Sequence, residues 1–403
     1  MTDWEEFLLN LDAYLVIGGA GILLAAIALL SARYFFRRPL PLARLRPGRW
    51  TGREVQFALI AHALFVPFVV LALLASFSTN FAPDQNNKEA VRRAAGHLII
   101  LGSPLNVFLT LAIVVTMLYA LSRTRPHQVG ITWARWPANV ILGVLLYLLI
   151  TVPILSVHFL VTQMPGSEKH LFERLVDEGL EWWEWVLLVF MTVCGAPLVE
   201  EFIYRGVLQG WLRRASLIGH AVVLVVVLAI GVIPLTSLLV SEQDVDNVPL
   251  IAAVAPSVFG WVLAGGYGVG LYLLWRRCQQ QCAGQWPWPV PTLVFPRERS
   301  RIMPDDEARE RTGDEEAFAP SIILDSAEAD RRRLAWPAAY LSIYGSSMVW
   351  SMMHYDAWPA PIPLFLLGLG LGWLALRTQS LIGPMVCHAL FNAVACLALY
   401  WGT

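Results

Sequence analysis

Charge is what this chain has least of. Only 15% of its residues are Asp, Glu, Lys or Arg, and of its 29 basic residues just two, Lys88 and Lys169, are lysines. Soluble surfaces and nucleic-acid grooves both need dense charge, so a soluble globular domain is excluded and no nucleic-acid partner is expected. Cysteine is also scarce. Of the five, Cys194, Cys387 and Cys396 lie in apolar runs, and Cys278 and Cys282 form a lone C-x3-C. A structural zinc site needs a second such pair, and none follows. The opening Met1-Thr-Asp-Trp-Glu-Glu has no basic n-region or small-residue cleavage site, so no secretory signal peptide is expected. No internal repeat is visible, which argues against a transporter built from related halves.

What fills the chain instead is apolar. Of its 403 residues, 57% are hydrophobic, and the mean hydropathy is +0.58. Runs of spanning length recur at roughly 13–32, 55–76, 97–121, 138–161, 185–208, 217–240, 249–275, 337–354, 362–376 and 382–401. A bilayer core about 30 Å thick needs about 20 apolar residues per helix. The expected fold is therefore an all-α, polytopic integral membrane bundle of about ten transmembrane helices, with the lipid bilayer as its first partner. Basic residues collect on one side: 23 fall in alternate loops and only 5 in the loops opposite. The positive-inside rule then puts both termini outside and the 276–336 loop in the cytoplasm. The arginine-rich, lysine-poor usage is compatible with a GC-rich bacterial genome and hence a bacterial inner membrane. The outer segment 167–184 is acidic, and Trp182, Trp183 and Trp185 suit the interface. The 276–336 loop opens on Trp286-Pro-Trp-Pro-Val-Pro291 and ends in Arg331-Arg332-Arg333, and reads as a flexible, charge-dense connection.

Against this background, a few ionisable residues lie inside spans, where they are costly and mark function by default. Glu200 and Glu201 are adjacent and Arg205 follows, in Pro197-Leu-Val-Glu-Glu-Phe-Ile-Tyr-Arg-Gly206. Glu201 and Arg205 are four apart and share a helix face, whereas Glu200 points about 100° away and is free to face a cavity. A structural ion pair explains Glu201 and Arg205, but not a second carboxylate beside them. His354 and His388 sit in two later spans, and His388 and Asn392 share a face of the last. An imidazole and a carboxamide on one face suit an oxyanion, and a carboxylate with an imidazole suits activation of water. His62, His158 and His220 read as packing residues.

Together, Glu200-Glu201-x3-Arg205, aromatic-x3-His354 and His388-x3-Asn392 resemble the three motifs of the CPBP family. These are intramembrane proteases related to the type II CAAX-processing endopeptidase and to bacteriocin-processing and self-immunity proteins. The flanking stretches 196–210 and 368–392 are similar too, so the resemblance covers roughly 185–214 and 337–400. It implies an intramembrane endopeptidase in which Glu200 and His354 activate water, His388 and Asn392 hold the oxyanion, and Glu201 with Arg205 positions the helix. Its substrate would be a membrane protein or peptide, and a bacterial source makes prenylated CAAX substrates unexpected. No cofactor is favoured. Zinc is the alternative, with Glu200, His354 and His388 as ligands, but the H-E-x-x-H spacing is missing. A non-catalytic transporter or immunity-type scaffold is the rival reading.

Two departures from the family pattern stand out. The second motif usually begins with Phe and here has Trp350, which keeps an aromatic. The second motif also usually follows closely on the first, whereas here His354 comes 149 positions after Arg205. The expected division is an N-terminal transmembrane region of four spans, 1–184, and a protease domain, 185–403. The latter is interrupted at about 215–336 by two extra spans and the charged loop, an even number that preserves the direction of the next span. Gly368, Gly370 and Gly372 read as a close helix contact. By hydropathy, His354 lies near the outer end of its span and Glu200 at shallow to middle depth. They meet only if that span tilts or enters short, or if the cavity is deep.

Overall fold

The computed structural model describes residues 50–77, 88–162, 175–176, 179–213, 215, 217–235, 250–281 and 326–402. Every regular element among them is helical, because a chain in hydrocarbon must satisfy its backbone within each segment. The long helices among the described residues are α1 (Gly52–Leu74), α2 (Lys88–Ser122), α3 (Trp136–Thr162), α4 (Trp182–Leu212), α5 (Ile218–Leu235), α6 (Leu250–Gln281), α7 (Ser326–Met352), α8 (Pro361–Thr378) and α9 (Ile382–Gly402). All but α7 contain stretches long and apolar enough to cross a bilayer. The chain is a polytopic, all-α integral membrane protein.

Eight of the ten expected spans coincide with these apolar helices. The span expected at 13–32 and most of the 276–336 loop, residues 282–325, lie outside the described residues. The remaining span, 337–354, is the apolar end of α7. That helix starts at Ser326 and stops at Met352, so it begins earlier and ends earlier than hydropathy indicates. Glu184 also departs from its expected place in an exposed acidic loop. It lies in the first turn of α4, fully buried, where its Oε2 accepts the Glu181 N–H at 2.9 Å and its Oε1 pairs with His97 Nδ1. A carboxylate at this position satisfies one of the orphan donors of the helix start.

Helices α4 and α8 form the centre. Half of each apolar window is buried within the protein, against 22% for α1, α2 and α3, whose remaining apolar surface suits lipid. Phe202, Ile203 and Val207 of α4, Met348 and Met352 of α7 and Leu371 of α8 are all fully enclosed. Helix α7 packs on α8, α3 lies against α8 and α9, and α1 and α2 pair and close on α4. Helices α5 and α6 pair with each other on α7. The glycine stripe of α8 explains the tightest of these contacts. A Cβ at Gly368 would come within 2.9 Å of Ser347 and 3.1 Å of the Trp350 ring, and one at Gly372 within 2.9 Å of Gln209 Oε1. Gln209 Nε2–H in turn donates to the Gly372 carbonyl at 2.8 Å. Small residues here let α8 press against both α4 and α7.

Candidate active site

Helix α4 changes pitch where the chemistry lies. Two of its segments, Met191–Gly195 and Glu201–Gln209, are wound as wider π-type turns, separated by an α-helical turn over Ala196–Glu200. Such wide turns shift the register of the side chains after them and concentrate at functional sites. Glu200 closes the α-helical turn and Glu201 opens the second wide segment. The two carboxylates therefore meet different surroundings.

Glu201 is fully buried and has a partner on each oxygen. Arg205 Nε lies 3.2 Å from its Oε2, and His388 Nδ1 lies 3.0 Å from its Oε1. A carboxylate only accepts, so this contact assigns the proton of His388 to Nδ1–H. The Arg205 guanidinium, also fully buried, sits 4.3 Å above the Trp350 ring. Paired by charge on one side and by the ring on the other, it neutralises a carboxylate that could not otherwise remain buried. Glu200, in contrast, keeps 16% of its side chain exposed. Its Oε2 accepts the Trp350 indole N–H at 2.6 Å and stands 3.9 Å from His388 Nε2.

The short reach of α7 brings His354 to this level. The helix stops at Met352, two residues beyond the indole bonded to Glu200, and His354 lies in the turn that follows. Its Nδ1–H donates to the Trp350 carbonyl at 3.0 Å, so Nε2 is the nitrogen that can accept when the ring carries one proton. The His354 ring packs edge-on to the Trp350 ring at 5.7 Å, within Coulombic reach of Glu200. The His388 ring packs on Trp350 in the same way at 5.3 Å. Asn392, one turn after His388 on α9, donates its Nδ2–H to the Thr192 carbonyl at 2.7 Å. That carbonyl belongs to the first wide turn of α4. Glu200, Glu201, Arg205, His354 and His388 thus gather around one indole, and Asn392 ties their helices together beside them.

Two residues join this group unannounced by the sequence reading. In the sequence Trp350 is an aromatic at the head of the second motif; in the fold it touches Glu200, Arg205, His354 and His388. His62 reads as a packing histidine from the sequence. It sits in a wide turn of α1, Ala61–Phe65, edge-on to Tyr204 at 5.9 Å. Its Nδ1 is enclosed without a hydrogen-bond partner, and Glu200 and His354 are both within Coulombic reach. No local signal in α1 marks His62, whose position depends on how α1 packs against α4. His220 behaves as read, bonded to Tyr267 Oη at 2.5 Å. His158 lies on an exposed face of α3.

Comparison with known proteins then fixes the kinship. The family model for type II CAAX prenyl endopeptidase Rce1-like proteins matches residues 182–294 and 315–394. The chain belongs to this family. The match begins at the start of α4, runs through α5 and α6, and takes in every site residue on α4, α7 and α9. No curated protein and no solved structure matches the chain. Membership in the Rce1-like family places the protein among membrane-embedded endopeptidases acting on peptide substrates.

Zinc was the alternative cofactor for this donor set. Among the described residues, no three His, Cys, Asp or Glu side chains are grouped as metal ligands.

Proposed function

We propose that this endopeptidase cleaves a membrane-embedded or membrane-associated protein or peptide through water activated by Glu200. One observation carries the reading: of two adjacent carboxylates, Glu201 is locked on both oxygens and fully buried, while Glu200 is partly exposed beside two imidazoles. Glu200 takes a proton from water as its oxygen adds to the peptide carbonyl, with the free Nε2 of His354 accepting a hydrogen bond from that water. The oxyanion is met by His388 Nε2–H, and Asn392 keeps a second amide hydrogen for the same purpose. As the C–N bond breaks, Glu200 returns its proton to the leaving amine. Because His388 Nδ1–H is already given to Glu201, donation from Nε2 requires a second proton on the ring.

The catalytic unit on this reading is 185–403. Residues 1–184 are an accessory transmembrane region whose α1 lends His62, and α5 and α6, within the interruption at 215–336, support α7 from outside. Support comes from the start of the family match at 182 and from the absence, among the described site contacts, of any from 217–281. We place the 276–336 loop in the cytoplasm and both termini outside, in a bacterial inner membrane, on the charge asymmetry. A cysteine at position 310 labelled from outside the cell, with one at position 3 protected, reverses that orientation.

The test of function compares membrane proteomes of strains carrying the wild type and Glu200→Ala. A membrane protein that accumulates uncleaved only in the variant is the substrate. If no protein changes its processing, the chain acts as a scaffold or transporter and the endopeptidase reading fails. Purified enzyme stripped with a strong chelator should keep full activity on a transmembrane-anchored peptide from that substrate. Loss of activity restored by stoichiometric zinc overturns the glutamate mechanism.

A further inference from the structure

We propose that Trp350 is a positioning residue that aims the carboxylate of Glu200. It holds Oε2 through its indole N–H and leaves Oε1 as the oxygen that meets water. The proposal builds on the glutamate mechanism above, but the bond itself is open to test without it.

Three observations converge on the indole. First, its Nε1–H donates to Glu200 Oε2 at 2.6 Å, and an N–H given to a carboxylate is among the stronger hydrogen bonds a protein makes. Second, the donor cannot swing away. Trp350 is 1% exposed. The Arg205 guanidinium covers its ring at 4.3 Å, both imidazoles abut it edge-on, and α8 closes on it where Gly368 has no Cβ. A donor fixed by packing aims its acceptor at little further cost in entropy, as preorganised sites require. Third, Oε1 of Glu200 accepts no hydrogen bond from the described residues, so the two oxygens are unequal: one is held and one is available. A carboxylate with both oxygens free would rotate about its last bond and present either. Phenylalanine in the same seat would still stack under Arg205, but it is smaller than the indole and has no N–H to give. The bland alternative is that Trp350 only packs, in which case a side chain of the same outline without the N–H would serve equally well.

The experiment uses the full-length protein in detergent micelles or nanodiscs, with 15N-indole-labelled tryptophan. Two variants remove the donor: Trp350→Phe, and 3-benzothienylalanine at position 350, which keeps the tryptophan outline and replaces N–H by sulfur. The indole signal lost in either variant is that of Trp350. We expect it far downfield in the wild type, shifted upfield in Glu200→Gln and shifted further in Glu200→Ala. A Trp350 signal that ignores both Glu200 substitutions overturns the proposal, whatever the enzyme cleaves.

The kinetic arm uses a transmembrane-anchored peptide cleaved by the wild type and not by Glu200→Gln. Removing a hydrogen bond to a charged group should lower kcat by about 10- to 100-fold, with KM held within about twofold, because the interaction acts on the reacting group and not on substrate binding. Unchanged kcat in the benzothienyl protein overturns the positioning role even if Trp350→Phe fails to fold. If no anchored peptide is cleaved by the wild type, the endopeptidase reading is what fails, and the indole signal still decides whether Trp350 holds Glu200.

Discussion

Two buried acidic centres lie sixteen residues apart on α4, and they differ in what each leaves unfinished. At the start of the helix, Glu184 is fully enclosed, accepts the Glu181 N–H on one oxygen and pairs with His97 on the other. Nothing about it is available for further chemistry. One span's depth away, Glu201 is closed in the same manner between Arg205 and His388, but it holds up a neighbour that is not. Glu200 has one oxygen tied to Trp350, another without a donor, and an opening to the outside of the packed core. Burial and a histidine partner are common to both centres, so neither distinguishes a site. A partly exposed carboxylate beside one enclosed between a guanidinium and an imidazole does. The first centre secures a helix end and the second keeps a reactive group in place, and each can be perturbed without the other.

The largest expected effect is at Glu200. Glu200→Gln preserves shape and the Trp350 contact but cannot take a proton from water. Cleavage of an anchored peptide should fall by about 10³-fold or more, while the thermal midpoint in detergent stays within about 2 °C. Retained cleavage would erase the difference drawn between the two centres.

Arg205→Ala should act on stability first. It leaves the buried Glu201 charge with only His388, a loss of roughly 3–5 kcal/mol. A markedly lower midpoint and poor recovery from membranes are the expected readings. A variant as stable as the wild type would mean that Glu201 is not ionised in its enclosure, and that Arg205 serves Trp350 instead.

His388→Ala and Asn392→Ala come next. As oxyanion donors they should each slow turnover by about 10²- to 10³-fold in single-turnover assays with excess enzyme. Both should also cost stability. Asn392 ties α9 to the Thr192 carbonyl at 2.7 Å, worth on the order of 1 kcal/mol, and His388 donates to the buried Glu201 carboxylate at 3.0 Å, worth more because that acceptor is charged. A pure structural tie predicts the lower midpoint with no slowing of the folded fraction.

Much of this was written in the sequence, and the limits have physical causes. Apolar runs gave the helices because hydrocarbon permits little else. The i, i+4 spacing gave the Glu201–Arg205 pair because a helix repeats locally. What sequence could not supply was register between helices. His354 looked too far out because hydropathy marks the apolar length of a segment and not where it is seated. The arginines at 331–333 lie within α7, and its helix stops two residues before the histidine. Glu184 was read as loop because a capping carboxylate looks like any other acidic residue beside a turn. His62 and the indole of Trp350 reach Glu200 only through packing between helices distant in sequence, and lipid-facing and core-facing apolar residues look the same. Within α4 itself, Val186 and Phe190 are 61% and 59% exposed while Phe202 and Ile203 are fully buried, with nothing in residue type to separate them.

The smallest effect, and the one that sharpens the comparison most, belongs to His97. Its ring is 36% exposed, so water can replace part of what the imidazole gives Glu184, and the Glu181 N–H remains. His97→Ala should cost about 1 kcal/mol, a shift of a few degrees in the thermal midpoint. Turnover should be unchanged once assayed well below that midpoint, because Glu184 lies a helix length of about 24 Å from Glu200 and shares no partner with it. Coupling can be measured directly by combining His97→Ala with His388→Ala. Independent centres give additive losses in stability and a turnover equal to that of His388→Ala alone. If the double variant departs from additivity by more than about 0.5 kcal/mol, or if His97→Ala by itself slows cleavage as His388→Ala does, the two acidic centres are parts of one network running the length of α4, and the separation of anchoring from chemistry is lost.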